Sequence, residues 1–371
     1  DGGYSASIDA DADGEEGGFH VWSREEIEQL LPQSDATVFC PAFGLDGPPN
    51  FESRAWHLVR HRDSADLAAQ TGQTEQTIRQ SLESARTALI AARSKRIPPA
   101  LDDKRLTSWN ALLAEGFVRA GRTLQRQDWI DSADSILGFI RKELWDGNQL
   151  YAVFNNGKAR FPAYLDDYAY LLNALMYFLQ ASWNTVYLRF AIDLGDALLD
   201  RFEDAECGGF YFSDAGEEVP ITRCMIFQDD ATPAGNAVAI QALRKLGQLI
   251  GEVRYTTAAE RALSRGLAQA SDSPLAFASL LIAAQESIQP RPHLLVSGTD
   301  LGKQKEWKQW AETNYQVDCY QIGPETSSLP GILREYRSDE PAIAWLCHGM
   351  HCLPPATSRD RLQQQLEENS R

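Results

Sequence analysis

Several residue types are scarce in this sequence, and each scarcity excludes a class of protein. The chain has 6 cysteines in 371 residues, too few and too scattered for the disulfide framework of a small secreted domain. We therefore expect a reducing, cytoplasmic location. Long apolar runs are also missing, because the most apolar stretch, residues 274–284, is about half the ~20 residues that a membrane-spanning helix requires.

Basic residues are outnumbered as well. The chain carries 35 Lys and Arg against 52 Asp and Glu, a formal net charge of −17. A field of this sign repels nucleic-acid phosphates and anionic lipids unless a basic patch interrupts it, and the sequence contains no basic run. We expect neither nucleic acid nor a membrane as a partner.

A repeat of about 64 residues organises the middle of the chain. The dipeptide Asp-Asp occurs at Asp102-Asp103, Asp166-Asp167 and Asp229-Asp230, with spacings of 64 and 63 residues. Each pair precedes an amphipathic helical pattern that is followed by a second one, so one repeat is a helical hairpin. The predicted hairpins pair residues 108–122 with 129–144, 168–181 with 186–202, and 235–250 with 255–270.

The hairpins and their loops predict the fold class. Glycine-aromatic segments at 146–151 and 207–212 predict small β-hairpins at one end of the helices, which favours an α/α toroid over an open solenoid. The expected fold is mainly α, an incomplete (α/α)6-toroid-like set of helical hairpins over residues 1–288. Alternating strand and helix patterns predict a small α/β subdomain over 289–371. Because the chain opens inside a repeat and without Met, we expect it to be the C-terminal part of a longer protein.

The acidic pairs form the candidate site, because alternate helices of a toroid start at one mouth and the pairs would line a single funnel. We expect the second members, Asp103, Asp167 and Asp230, to act as catalytic carboxylates and the first members to cap their helices. The alternative needs no chemistry, since Asp is a favoured N-cap whose charge complements the helix dipole. The candidate substrate-binding residues carry carboxylate, amino, aromatic or amide groups suited to a sugar: Asp102, Lys104, Trp109, Asn110, Asp166, Tyr168, Asp229 and Asn236.

The histidines bear on the mechanism. All 6 lie outside the three Asp-Asp repeats. An epimerase that abstracts a proton usually needs a base that titrates near neutral pH, most often His. The carboxylate chemistry of glycosidic-bond cleavage therefore fits the repeats better.

Two thiols and two imidazoles lie together near the end of the chain, at Cys347-His348 and His351-Cys352. Adjacent ligands make a poor zinc chelate, because zinc sites normally space their ligands by two to four residues. Metal binding, a redox or disulfide role, and simple packing all stay open for this segment. The prediction is that the protein uses no metal and no cofactor.

The family resemblance rests on several ordered segments: 3–11, 18–22, 101–112, 165–169, 230–236 and the closing Cys347-x4-Cys352-x-Pro354-Pro355. Together they resemble the thioredoxin-domain-containing family of YyaL and spermatogenesis-associated protein 20. The resemblance implies a thioredoxin-like domain, expected to lie outside this chain, followed by a toroid similar to six-hairpin glycosidases and N-acylglucosamine 2-epimerases. It implies no particular reaction.

The leading functional hypothesis is a carbohydrate-active protein that binds and processes a sugar or glycoconjugate through paired carboxylates. One carboxylic acid with a raised pKa would protonate the glycosidic oxygen while another carboxylate attacks the sugar or activates water. Two alternatives stay open: a non-catalytic scaffold or client-binding module of a thioredoxin-like redox protein, and a sugar epimerase whose base lies outside this chain. The expected partners are a small-molecule or glycan ligand and a thioredoxin-like domain of the same full-length protein.

Overall fold

Helices dominate the computed structural model, which describes residues 2–216, 222–271, 273–323 and 329–369. Contacts divide the chain into an N-terminal unit, Ser5–Asp103, and a main unit, Lys104–Arg371 together with Asp1–Tyr4. This division differs from the boundary predicted at residue 289. None of the described helices combines the length and the apolar composition that a bilayer span would need.

The N-terminal unit contains four helices whose starts are mostly capped by side chains. The Asp63 carboxylate accepts a hydrogen bond from the N–H of Asp66, and the Thr74 hydroxyl accepts one from Thr77. Helical patterns in the sequence predict helices over 24–31 and 74–95, which match the first and last of the four, and the two between them were not predicted. The elements are β1 Ser7–Ile8, β2 Asp11–Ala12, β3 Glu15–Glu16, α1 Arg24–Leu30, α2 Gln33–Ala42, α3 Ser64–Thr71, α4 Glu75–Arg93 and β4 Leu101–Asp102.

The main unit is built from the helical hairpins that the repeat predicts. Its helices are α5 Thr107–Thr123, α6 Gln127–Glu143, α7 Leu165–Ala181, α8 Thr185–Phe202, α9 Gly235–Ile250, α10 Val253–Ala270 and α11 Ala278–Ile288. The inner helices α5, α7, α9 and α11 pack side by side in chain order, and α6, α8 and α10 pack behind them. Helix α7 is buried along almost its whole length, because it lies between α5 and α9 and carries an apolar residue at most positions.

One β-hairpin follows directly after the predicted segment 146–151 and was not predicted. Strands β5 Arg105–Leu106, β6 Tyr151–Asn155 and β7 Lys158–Pro162 form an antiparallel sheet in the order β5-β6-β7. The turn of the hairpin is Asn156-Gly157, with φ of 51° and 72°, the dipeptide and backbone region that a tight two-residue turn requires. The predicted segment 146–151 lies in a minimal hairpin of its own, an antiparallel bridge between Trp145 and Leu150 whose turn is closed by Asp146. The second predicted segment, 207–212, contributes Phe210 to an antiparallel bridge with Glu203.

The C-terminal α/β part has the predicted composition. Its elements are β8 His293–Ser297, α12 Leu301–Asn314, β9 Asp318–Gln321, β10 Ile343–His348, β11 His351–Cys352 and α13 Arg359–Asn369. The sheet order is β11-β10-β8-β9, with β8 and β9 parallel and the other pairs antiparallel.

The α/β part shares its core with the helical hairpins, which explains why contacts do not separate it from them. Trp183 meets the Tyr320 ring edge-on with the centroids 6.3 Å apart, and Gln180 Nε2 lies 3.5 Å from Tyr320 Oη. The predicted fold class is confirmed: mainly α, incomplete α/α-toroid-like hairpins with a small C-terminal α/β part.

Candidate functional site

The starts of the inner helices are joined by aspartate side chains. Asp167 Oδ1 accepts a hydrogen bond from the N–H of Ser108, the second residue of α5, at 2.9 Å. Its Oδ2 accepts the N–H of Tyr164, the residue before α7, also at 2.9 Å. One buried carboxylate therefore satisfies unpaired N–H groups at the starts of two neighbouring helices.

Asp229 repeats this arrangement one hairpin later. Its Oδ1 accepts the N–H of Ala234, just before α9, and its Oδ2 accepts the N–H of Ser279 in the first turn of α11, both at 2.8 Å. The Ser279 hydroxyl also donates to Asp229 Oδ1. Asp229 therefore connects the starts of α9 and α11.

Asp166 lies between these two connections. Its carboxylate accepts a hydrogen bond from the N–H of Gly235, the first residue of α9. A Cβ at residue 235 would overlap Asp166 Oδ1, so the close approach requires glycine there. We call Asp166, Asp167 and Asp229 the carboxylate rim. Because its hydrogen bonds connect the starts of α5, α7, α9 and α11, these four helix starts lie together at one end of the main unit.

The rim differs from the prediction that the first Asp of each pair caps its helix and the second faces the funnel. Both oxygens of Asp167, the residue predicted to face the funnel, accept backbone hydrogen bonds, and the residue is only 4% exposed. Asp230, also predicted to face inward, is exposed on the loop that leads into α9. The catalytic roles of these residues remain predictions.

Burial shifts the ionisation of the rim. It raises the pKa of Asp166 to about 6, against the opposing effect of the Gly235 N–H. It raises the pKa of Asp167 to about 7, although the N–H groups of Tyr164 and Ser108 oppose this shift. Asp166 is only partly buried, so it is the rim carboxyl that both titrates near neutral pH and can be reached from solvent.

Three predicted binding residues hold the backbone instead. Asn110 Oδ1 accepts the N–H of Tyr4 at 2.7 Å and its Nδ2 donates to the Tyr4 carbonyl at 3.0 Å. Asn236 makes the same pair of bonds with Phe210, at 2.7 and 2.8 Å. The fully buried Tyr168 accepts the N–H of Leu150 at its hydroxyl, so all three side chains hydrogen-bond to the backbone of distant segments.

The other predicted residues are more accessible. Trp109, in the first turn of α5, is 51% exposed, and Lys104 is exposed at the start of the main unit. Asp102 and Asp103 belong to the N-terminal unit, where Asp102 pairs with Ser7 in the β1–β4 ladder.

An exposed aromatic residue at the rim was missed. Tyr164 is 43% exposed, and its ring stacks on Phe212 with centroids 4.8 Å apart and planes 10° apart. Its backbone N–H binds Asp167, so it lies at the same helix ends as Asp166. The sequence could have indicated Tyr164 as a site residue, because it lies just before the second acidic pair.

A polar stripe on α7 was also missed. Asp166, Tyr170, Asn173 and Tyr177 are spaced by four, three and four residues, which places them on one face of an otherwise apolar helix. Asn173 Nδ2 donates to Glu115 at 2.8 Å, while its buried Oδ1 has no hydrogen-bond partner within the described residues. The 3.6-residue periodicity of these polar positions could have revealed the stripe.

The cysteine and histidine segment contains a disulfide. Cys347 and Cys352 are bonded to each other across the β10–β11 hairpin, with the Cα atoms 3.9 Å apart. Of the interpretations left open for this segment, the disulfide is the one observed. Within the described ranges no group of three or more His, Cys, Asp or Glu side chains is arranged to hold a metal ion.

Comparison with curated proteins finds relatives along nearly the whole chain. Spermatogenesis-associated protein 20 of Homo sapiens is 25% identical over 409 aligned positions, which cover 98% of this chain and 52% of that protein. The Rattus norvegicus protein of the same name is 24% identical and covers 99% and 52%. The chain thus spans about half the length of these relatives. No protein-family model matches it.

Solved structures show weaker likenesses. A GH76 α-mannanase of Bacteroides thetaiotaomicron is 15% identical at a TM-score of 0.42, covering 53% of this chain and 54% of that one. The cellobiose 2-epimerase of Spirochaeta thermophila is 18% identical at a TM-score of 0.36, covering 43% and 42%.

Proposed function

We propose that this chain, which is related to spermatogenesis-associated protein 20 over nearly its whole length, binds and processes a sugar or glycoconjugate at the carboxylate rim. The observation that carries the proposal is the state of Asp166, a partly buried carboxyl whose pKa burial raises to about 6. A carboxylic acid that keeps its proton in mildly acidic solution can donate it to a leaving-group oxygen.

A second carboxylate is close to Asp166. Asp229 accepts the N–H of Ala234 and Asp166 accepts the N–H of Gly235, so the two carboxylates bind consecutive peptide groups. Both oxygens of Asp229 already accept hydrogen bonds from the protein, so in this proposal Asp229 only supplies negative charge beside the sugar ring that reacts. Asp230, its exposed neighbour, has the access to solvent that activation of a water molecule requires.

Aromatic rings at the same end support a sugar as the ligand. Trp109 follows Ser108, and Tyr164 precedes α7; the backbone N–H groups of Ser108 and Tyr164 both bind Asp167. Exposed indole and phenol rings offer flat apolar faces with a polar edge, which suits a sugar ring with its hydroxyl groups. The proposal assigns no reaction to Asp167, whose oxygens are both occupied, or to Asp103, which lies in the N-terminal unit.

The second candidate, a non-catalytic scaffold, is favoured by a different observation. Asp167 and Asp229 both connect neighbouring helices, which is sufficient reason for an acidic pair at each hairpin without any ligand. Under this alternative Asp166 is one more helix cap.

The test is glycan-array binding and turnover of bound glycans by the 371-residue chain and by Asp166→Asn. Asp200→Asn, an exposed position on α8, is the matched control. We expect Asp166→Asn to keep binding and lose turnover, and kcat of the unchanged protein to fall as pH rises through about 6, because the acid must be protonated.

Two outcomes would overturn the proposal. If Asp166→Asn retains turnover with the same pH profile, Asp166 is not the acid. If the unchanged chain binds no glycan at all, the scaffold alternative replaces it.

A further inference from the structure

The opposite ends of α5 and α7 open onto a cavity of about 1510 Å³. It lies between the last turns of these two helices and the elements α12 and β9 of the α/β part. We call it the cationic groove, because among the described residues six basic side chains line it against two carboxylates, Glu312 and Asp318. The basic residues are Arg119, Arg122, Arg126, Arg291, Lys305 and Lys308.

Part of this charge has a structural role. Arg122 binds Glu312 at 2.7 Å and Gln180 at 2.7 Å, and Lys308 binds the same Glu312 at 2.8 Å. These bonds tie the end of α5 to α12. Cations near the C-terminal ends of α5 and α7 also complement the helix dipoles, so not every basic residue here needs a ligand.

Two more of the six basic residues are ion-paired, Arg119 with Glu115 at 2.9 Å and Arg126 with Asp128 at 2.6 Å. The remaining two make no such bond. Arg291 and Lys305 are both exposed, and neither makes an ion pair or a side-chain hydrogen bond within the described residues. When Glu115 and Asp128 are counted with Glu312 and Asp318, the six cations exceed the carboxylates by two, and in a chain with a formal net charge of −17 such a cavity attracts an anion.

The neutral lining is rich in hydrogen-bonding groups and rings. Trp183 Nε1 is out of contact with solvent and has no acceptor within the described residues, although a buried N–H is normally paired. Two further rings, Tyr177 and Tyr315, line the groove with it. Amide side chains add donors and acceptors along its length: Gln125, Gln127, Gln180, Gln309, Gln316 and Gln321.

We propose that the cationic groove binds an acidic oligosaccharide, a chain of sugar rings that bear carboxylate or sulfate groups. The cations come from four segments of the chain, namely α5, the loop after it, the segment before β8, and α12, and the cavity volume exceeds the ~300–1,000 Å³ of a typical small-molecule pocket. Amides and aromatic rings between the cations fit hydroxyl-bearing rings between charged groups. The inference does not rest on the carboxylate rim, because no rim residue lines the groove.

The test measures binding of tetragalacturonate, maltotetraose and hexaglutamate to the 371-residue chain by calorimetry at low salt. Maltotetraose has the same number of rings without charge, and hexaglutamate has the charge without rings. We expect the uronate to bind and the other two to bind at least tenfold more weakly. Binding should weaken in high salt.

Substitutions then locate the site. Arg291→Gln and Lys305→Gln should each weaken uronate binding about tenfold, the loss expected for one charge-assisted hydrogen bond. Lys303→Gln removes the same charge from α12 at a position outside the groove lining, so it should leave binding unchanged. Trp183→Phe keeps an aromatic ring and removes the N–H, and it should weaken binding severalfold.

Each contrary result is decisive. Tighter binding of hexaglutamate would make the groove a site for an acidic peptide, and equal binding of maltotetraose would show that the cations are not used. Absence of binding by all three, or equal losses in Lys303→Gln and Lys305→Gln, would leave the cations a purely structural role. Asp166→Asn should not change uronate binding, which separates this test from that of the rim.

Discussion

The two ends of the inner helices carry charges of opposite sign and use them differently. At the starts of the helices, the carboxylates of Asp167 and Asp229 accept hydrogen bonds from backbone N–H groups of neighbouring helices. At the other ends of α5 and α7, cations outnumber carboxylates, and Arg291 and Lys305 are unpaired within the described residues. The helix dipole explains the sign of the charge at each end. A charged side chain whose hydrogen-bonding atoms are already occupied by the protein is not available to a ligand, whereas an unpaired one is.

The largest expected effect is that of Asp167→Ala. Removing the carboxylate leaves the N–H groups of Ser108 and Tyr164 without acceptors in a buried site, at a cost of ~1–3 kcal/mol each. Loss of the buried charge offsets part of this cost. We expect the free energy of unfolding to fall by about 3 kcal/mol at pH 5, where Asp167 holds its proton and this offset is small, measured by denaturant titration. A change below about 1 kcal/mol would show that Asp167 is not the connection between α5 and α7.

Arg122→Met tests the corresponding connection at the other end. The substitution keeps the apolar stem and removes the bonds to Gln180 and Glu312, while Lys308 still pairs with Glu312. We expect a loss of about 1.5 kcal/mol, because the ion pair is largely buried. The control is Arg79→Met on α4, whose partner Glu75 is one helical turn away at the surface and which should change stability by less than about 0.5 kcal/mol. Equal losses in both variants would contradict a connection between α5 and α12.

Asp166→Asn should stabilise the fold at high pH. The folded-state pKa of about 6 lies above the ordinary value of 3.8, so the folded protein holds this proton more tightly than the unfolded chain. The stability that this provides is complete below about pH 4 and is lost as pH rises through about 6. Asn removes the charge, and its amide oxygen accepts the Gly235 N–H more weakly than the carboxylate does, so we expect a net gain of about 1 kcal/mol at pH 8 and none at pH 3. A loss of stability at pH 8 would mean that the carboxylate acts mainly as a helix cap.

The helical hairpins were predictable because the signals were local. Amphipathic periodicity placed helices such as Gly235–Ile250 correctly. Helix Gln33–Ala42 was missed because it lacks a side-chain cap at Pro32 and contains Pro41, both of which weaken the usual signals. The additional hairpin over residues 151–162 was a local signal overlooked, since Asn156-Gly157 is a standard tight-turn dipeptide.

The site was less predictable because its partners are distant in sequence. Asp167 and Ser108 are 59 residues apart, and nothing in the sequence indicates whether an aspartate caps its own helix or a neighbour. The cationic groove was hidden for the same reason. Its basic residues come from α5, the loop after it, the segment before β8, and α12, so no basic run marks it.

Asp230→Asn is expected to have the smallest effect on stability. It tests whether an exposed charge at the helix starts, like Lys305 at the other helix ends, is available to a ligand without holding the fold together. Asp230 is exposed, and its side chain makes no hydrogen bond or ion pair within the described residues, so the free energy of unfolding should change by less than about 0.5 kcal/mol. Lys305→Gln at the other end should behave alike for the same reason. If Asp230 activates water, Asp230→Asn should nevertheless abolish turnover of a bound glycan while leaving its affinity intact. A stability change as large as that of Asp167→Ala, with turnover retained, would place Asp230 among the residues that hold the helices together and leave Asp166 as the one rim carboxyl available to a ligand.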